Sequence, residues 1–150
     1  MLAGLEAWIR EPIAVQVAAT APGHAPESAR GFAIRLHGES LAVGLVDAQA
    51  PRLLAALRSA TAVAINLTHP LTFHGRQFKG PLVDLEEPSA EAAEAAHEYF
   101  QSFALALAQI GLTAEQCRGM FKHGPTRWVR IRPTEMFNQT PGPGAGARLT

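Results

Sequence analysis

Three arginines, Arg30, Arg35 and Arg52, are the side chains of this 150-residue chain best suited to gripping an anion. A guanidinium is planar and permanently charged, and it makes charge-assisted, often bidentate hydrogen bonds to phosphate oxygens. An isolated arginine is more often a solvated surface residue, so the three matter only if a fold gathers them. Alternation along a strand puts Arg35 on the opposite face from Arg30, which separates it from a shared site. The polar run Gly75, Arg76, Gln77, Phe78, Lys79, Gly80 holds the second group of candidates. The Gln77 amide both donates and accepts, as the edge of a heterocycle with alternating carbonyl and N–H groups requires. Its plain alternative is an exposed strand residue.

Other constellations carry less. Glu94 and His97 have the Glu-x-x-His spacing of carboxylate di-iron bundles, with Glu91 and Glu98 nearby. Such centres need a second pair and two further carboxylates from other helices, and the chain offers none. His69 and His74 flank a turn and could face a ligand, although a loop histidine is more often solvated. Cys117 has Arg118 beside it and no evident general base, which suits a buried, inert thiol. The glycines after Pro141 only mimic a nucleotide loop, because no helix follows to present its N-terminus to phosphate.

The elements that must position these groups can be read from periodicity. Phe32, Ile34 and Leu36 alternate with Ala33, Arg35 and His37 in a strand that Arg30 opens. His37, Gly38, Glu39 and Ser40 reverse the chain into Leu41, Val43 and Leu45, which makes a hairpin. Pro51 suits the first turn of a short helix through Ala60, and Thr61 to Leu67 returns as a strand. Upstream, Leu2, Leu5, Trp8 and Ile9 space as a short helix, and Ile13 to Thr20 as a strand that gives way to a loop. Downstream, Thr72 to Glu87 reads as one long strand with Gly75 and Gly80 as bulges or close approaches and Pro81 at a bulge or edge. Ser89 caps the clearest helix, whose face Ala96, Phe100, Phe103, Leu107 and Ile110 ends at Gly111. Thr113 and Gln116 form a capping box for a second helix, and Trp128 to Ile131 alternates as a last strand. The expected fold is mainly β (α+β), a six- to seven-stranded antiparallel barrel with a few short helices, over residues 1–140 as one domain. Residues 141–150 are expected to be a flexible Gly/Pro-rich C-terminal tail or an arm laid on a partner.

The order of these elements and several residues resembles the FMN-binding split barrel of the pyridoxamine 5'-phosphate oxidase family, over roughly Ile13 to Gln139. In that family a strand beginning with Arg and carrying a further basic residue reaches the flavin phosphate, and Arg30 and Arg35 occupy those places. Pro51, Arg52 and Leu53 are similar to the family's Ser-Arg-Lys helix start, with one basic residue lost. Arg76, Gln77, Phe78 and Gly80 are similar to its Arg-Gln pair with a following hydrophobic residue and glycine, and Lys79 falls inside that run. Near the end, Asn138 stands where the family has a Trp before its Gln, so a ring contact is replaced by an amide. The resemblance implies a split barrel that binds FMN non-covalently between two subunits of a homodimer. It implies a flavin-dependent oxidoreductase on a small molecule. It does not imply a true pyridoxamine phosphate oxidase, because the family's Arg-x-His segment has no counterpart in Thr140 to Thr150. The alternatives are a non-catalytic flavin- or haem-binding sensor or store, and a structural dimer with an empty cleft.

Composition bounds the partners. Thirteen basic and thirteen acidic residues cancel, so no global field attracts nucleic acid or an anionic membrane, and any phosphate site is local. One cysteine excludes an internal disulfide. Neither a signal peptide nor an apolar run of the ~20 residues that span a bilayer is evident. A reducing cytoplasm is the expected compartment.

Overall fold

The computed structural model describes residues 1–150. In chain order the elements are α1 (Leu5–Trp8), β1 (Ala14–Ala19), β2 (Glu27–Gly31), β3 (Ile34–His37), β4 (Ser40–Val46) and α2 (Pro51–Leu57). They continue with β5 (Val63–Thr68), β6 (Gly75–Gly80), β7 (Leu82–Leu85), α3 (Ala90–Ala108), α4 (Ala114–Arg118), β8 (Thr126–Ile131) and β9 (Glu135–Asn138). Two antiparallel sheets result, a five-stranded one in the order β2-β1-β5-β6-β9 and a four-stranded one in the order β3-β4-β8-β7. They face each other without closing into one barrel. Between them lies the main core, with Val15, Val17, Ile65, Leu67 and Phe78 from one sheet against Leu41, Val43, Leu45, Val129 and Ile131 from the other.

The class is the expected one, but nine strands replace six or seven because single strands of the sequence reading divide between sheets. The stretch from Arg30 to Leu36 breaks at Phe32 and Ala33, two consecutive buried residues where period two fails and the chain crosses from one sheet to the other. The stretch from Thr72 to Glu87 breaks at Pro81, and β6 and β7 go to different sheets. Gly80 makes that crossing possible, since a Cβ there would lie 1.9 Å from the Arg132 carbonyl oxygen. The hairpin of β3 and β4 is as expected, with His37 opposite Ser40 and Gly38 at φ 59° in its two-residue turn.

Local signals hold at the helices. Ser89 Oγ accepts from the Ala92 N–H, and Thr113 and Gln116 close a reciprocal capping box. At 19 residues α3 is long rather than short, and it ends before Ile110, which is exposed. The four α-helices lie in the four stretches whose spacing predicts helix. Small side chains let α3 approach the sheet closely: Ala92 packs on Ala33, Ala42 and Trp128, and Ala96 on Phe32 and Val46. Further along, Phe103 and Leu107 pack with Cys117 and reach Ala14 at the end of the five-stranded sheet. β4, covered by the core on one side and α3 on the other, is buried along its whole length.

Residues 141–150 turn back along the outer edge of β9. The Asn138 N–H donates to Ala147 O at 2.9 Å and the Leu149 N–H to Met136 O at 2.7 Å. Arg148 faces Phe137 in a bridge and lies 3.3 Å from a Glu135 carboxylate oxygen.

Candidate functional site

Strand alternation divides the five-stranded sheet into an inner apolar face and an outer polar one. Registers across four strand pairs place Arg30, Gln16, Asn66, Gln77 and Phe137 in one row on the outer face. The adjoining row on that face is Ser28, Ala18, Ala64, Lys79 and Glu135. With strands ~4.8 Å apart, Arg30 and Gln77 stand three spacings, roughly 14 Å, from each other. The alanines in the second row keep its middle low, so the surface is a shelf with polar amides along one side. At its far end the Lys79 ammonium lies 4.7 Å from the Phe137 ring centroid. At the near end Arg30, Gln16, Asn66 and Thr68 line a cavity of about 290 Å³.

Arg30 is the group whose surroundings ask for a ligand. Its guanidinium carbon lies 4.5 Å from the Phe103 ring centroid and 5.9 Å from that of Phe32. Its Nε and Nη2 are buried and have no hydrogen-bond partner. Buried polar donors in folded proteins are nearly always satisfied, and an idle charge-bearing donor is costly. An anionic oxygen would satisfy both. Tyr99 reaches the same region from α3, its hydroxyl donating to the Ile13 carbonyl. Burial pushes the Tyr99 phenol well above its ordinary range, with the Arg30 charge pulling it back.

The chain does not bring the other candidates to this shelf. Arg35 lies in the other sheet, 4.0 Å above the Trp128 ring, with its Nη1 2.6 Å from a Glu91 oxygen. Glu91 accepts from Trp128 Nε1 at 2.8 Å through its second oxygen, so Arg35 belongs to a structural triad. Arg52, in the first turn of α2, is 84 % exposed and lies 3.3 Å from Glu27. Glu27 and Arg30 are three residues apart on β2, hence on opposite faces, and Arg52 shares the Glu27 side. Arg76 and Asn138 pair across β6 and β9 on the face opposite Gln77. The Arg76 guanidinium lies 5.6 Å from the Trp8 ring, and the Asn138 side chain is spent on the final turn, donating to Gly144 O at 3.0 Å and accepting from Thr140 N–H at 3.1 Å. Of the seven candidates, Arg30, Gln77 and Lys79 therefore share the shelf.

Gln16, Asn66 and Tyr99 were missed in the sequence. The first two carry a signal: each is an amide set between β-branched or aliphatic neighbours, Val15 and Val17 or Ile65 and Leu67, on the solvent side of a strand. No cluster of three or more His, Cys, Asp or Glu that could hold a metal occurs. His97 bonds to Gln101 at 2.8 Å and lies with its ring 5.1 Å from that of His123, tilted at 42°, rather than pairing with Glu94. Cys117 is buried.

No family model matches the chain, and no curated protein matches it in sequence. Solved structures do match. An F420 reductase aligns at 15% identity with TM-score 0.55, covering 89% of this chain and 95% of its own. HupZ of Group A Streptococcus aligns at 17% identity with TM-score 0.51, covering 89% and 90%. General Stress Protein 26 of Bacillus anthracis str. Sterne aligns at 11% identity with TM-score 0.51, covering 89% and 88%. At these identities the likeness is one of fold, and the fold is the split barrel.

Proposed function

We propose that this split barrel binds a phosphorylated flavin-type cofactor, FMN in the first instance, on the outer face of its five-stranded sheet, and serves as an oxidoreductase for a small molecule. The observation that carries the reading is Arg30, whose buried Nε and Nη2 have no partner, at one end of an amide row. A phosphate at Arg30 would satisfy those donors. Gln16, Asn66 and Gln77 then offer donors and acceptors along the shelf to the polar edge of a ring, and Phe137 and Lys79 bound its far end. When bound, the flavin supplies the electron-transfer chemistry; the chain orients it and shapes access to it. The motif order of the sequence and the name of the F420 reductase neighbour both support a flavin or its deazaflavin relative. The shelf is open on its solvent side, and a second copy of the chain laid over it would complete the site as a homodimer.

The test is spectral. Purified protein should carry flavin absorbance or acquire it on addition of FMN, and should quench FMN fluorescence at one equivalent per chain. Riboflavin, lacking the phosphate, should bind at least tenfold more weakly, as loss of a charge-assisted hydrogen bond requires. Equal affinity for the two, or no quenching by FMN or the deazaflavin coenzyme, overturns the phosphate placement. Reduction of the loaded protein by NADH or NADPH, followed in a stopped-flow instrument, separates an oxidoreductase from a non-catalytic carrier.

A further inference from the structure

On the side of the molecule formed by α3, α4 and the segment after it lies a larger concavity, of about 680 Å³. It falls in the size range of small-molecule pockets. Its walls are aromatic: Phe100 and Phe121 stack with centroids 5.0 Å apart at 18°, and His123 meets Phe121 edge-on at 4.9 Å. His97 completes the group, 5.1 Å from His123. Cys117 closes the floor, and Ala104 leaves the opposite wall low.

The polar groups at this cleft are Arg118, Gln101 and the two histidines, and no carboxylate lines it. Arg118 is a fixed cation, and the others can donate hydrogen bonds. Flat rings favour a flat occupant, since offset stacking adds to the burial of apolar area. The cation and the absence of acid favour a negative charge on its edge. We infer that this cleft is a second binding site, distinct from the sheet shelf, for a planar aromatic small molecule bearing one anionic group such as a carboxylate or sulfonate. The site is independent of the flavin reading, because none of its polar groups belongs to the five-stranded sheet.

The test uses 1-anilinonaphthalene-8-sulfonate as probe, with N-phenyl-1-naphthylamine as its uncharged counterpart and decanoate as a non-planar anion. Calorimetry and fluorescence on the full chain, with and without FMN, should give one sulfonate per chain and the same affinity in both conditions. The uncharged amine and decanoate should bind at least about tenfold more weakly. Arg118→Gln, a change at an exposed position, should lower sulfonate affinity by a similar factor and leave the amine unaffected, and Ala104→Trp should fill the cleft and abolish binding. Thermal melts of each variant confirm that it is folded. Equal binding of charged and uncharged probes, or binding untouched by both substitutions, overturns the inference. So does a dimer that Leu105→Glu converts to monomers newly able to bind the probe, since the exposed Leu105 at the rim would then mark a contact between copies.

Discussion

Replacing Arg30 by alanine removes the one side chain with two buried, unpartnered nitrogens, and comparison with Arg52→Ala isolates the effect. The Arg30 Nε and Nη2 are both buried and idle, so an incoming phosphate would gain hydrogen bonds to a charged donor in a partly desolvated place. Such bonds contribute about 1.5 to 3 kcal/mol, or roughly ten- to 150-fold in the FMN dissociation constant. Folding should change little. The lost contact with Phe103 at 4.5 Å is of cation–π type, on the order of 1 kcal/mol, and relief of two unsatisfied donors offsets it. Arg52 is 84 % exposed with a single ion pair to Glu27, on the far side of β2, so Arg52→Ala should leave FMN affinity within about twofold of the parent, as befits an exposed pair. Fluorescence titration of the three proteins, with thermal melts to check the fold, decides the matter. Wild-type affinity in Arg30→Ala, or a larger loss in Arg52→Ala, would place the phosphate at the start of α2 and refute the shelf.

Tyr99 is the only tyrosine, and burial raises its folded-state pKa above that of the unfolded chain. Its contribution is therefore complete below about pH 10 and is lost as pH rises further, at up to ~1.4 kcal/mol per unit; near-ultraviolet titration should show no tyrosinate until unfolding, and Tyr99→Phe should flatten the alkaline loss. FMN-loaded protein should have twice the monomer mass by light scattering, with each protomer burying on the order of 800 Å², and a monomer with FMN still bound would remove the shared-site arrangement. Pyridoxamine phosphate should not be oxidised at an ordinary turnover, on the order of 0.1 to 10 per second, because the final segment holds no histidine and its one arginine, Arg148, is tied to Glu135; steady formation of pyridoxal phosphate by the loaded protein would contradict this.

Features decided within a few residues were legible in the sequence. The Ser89 cap, the Thr113 and Gln116 box, Pro51 opening α2 and the turn at Gly38 all appear where local chemistry places them. What could not be read depends on distant partners. β6 and β7 look continuous until the crossing at Arg132 shows why Gly80 and Pro81 divide them. The shelf is harder still: Gln16, Arg30, Asn66 and Gln77 are scattered along the chain and become one row only through the registers of three strand pairs. Arg35, Arg76 and Asn138 match a motif order yet serve the Trp128 triad, the Trp8 face and the last turn.

The position of β8 between β4 and β7 has a consequence for the birth of the protein. β4 emerges from the ribosome early, yet its inner partner comes some 80 residues later, and β7 has no sheet neighbour except β8. At a synthesis rate of roughly 5 to 20 residues per second, a hydrophobic β4 spends several seconds without that partner. Until then the four-stranded sheet is only a hairpin. A nascent chain stalled before Thr126 should thus be captured by chaperones and cut readily by protease, and one stalled after the last strands have cleared the exit tunnel should resist both.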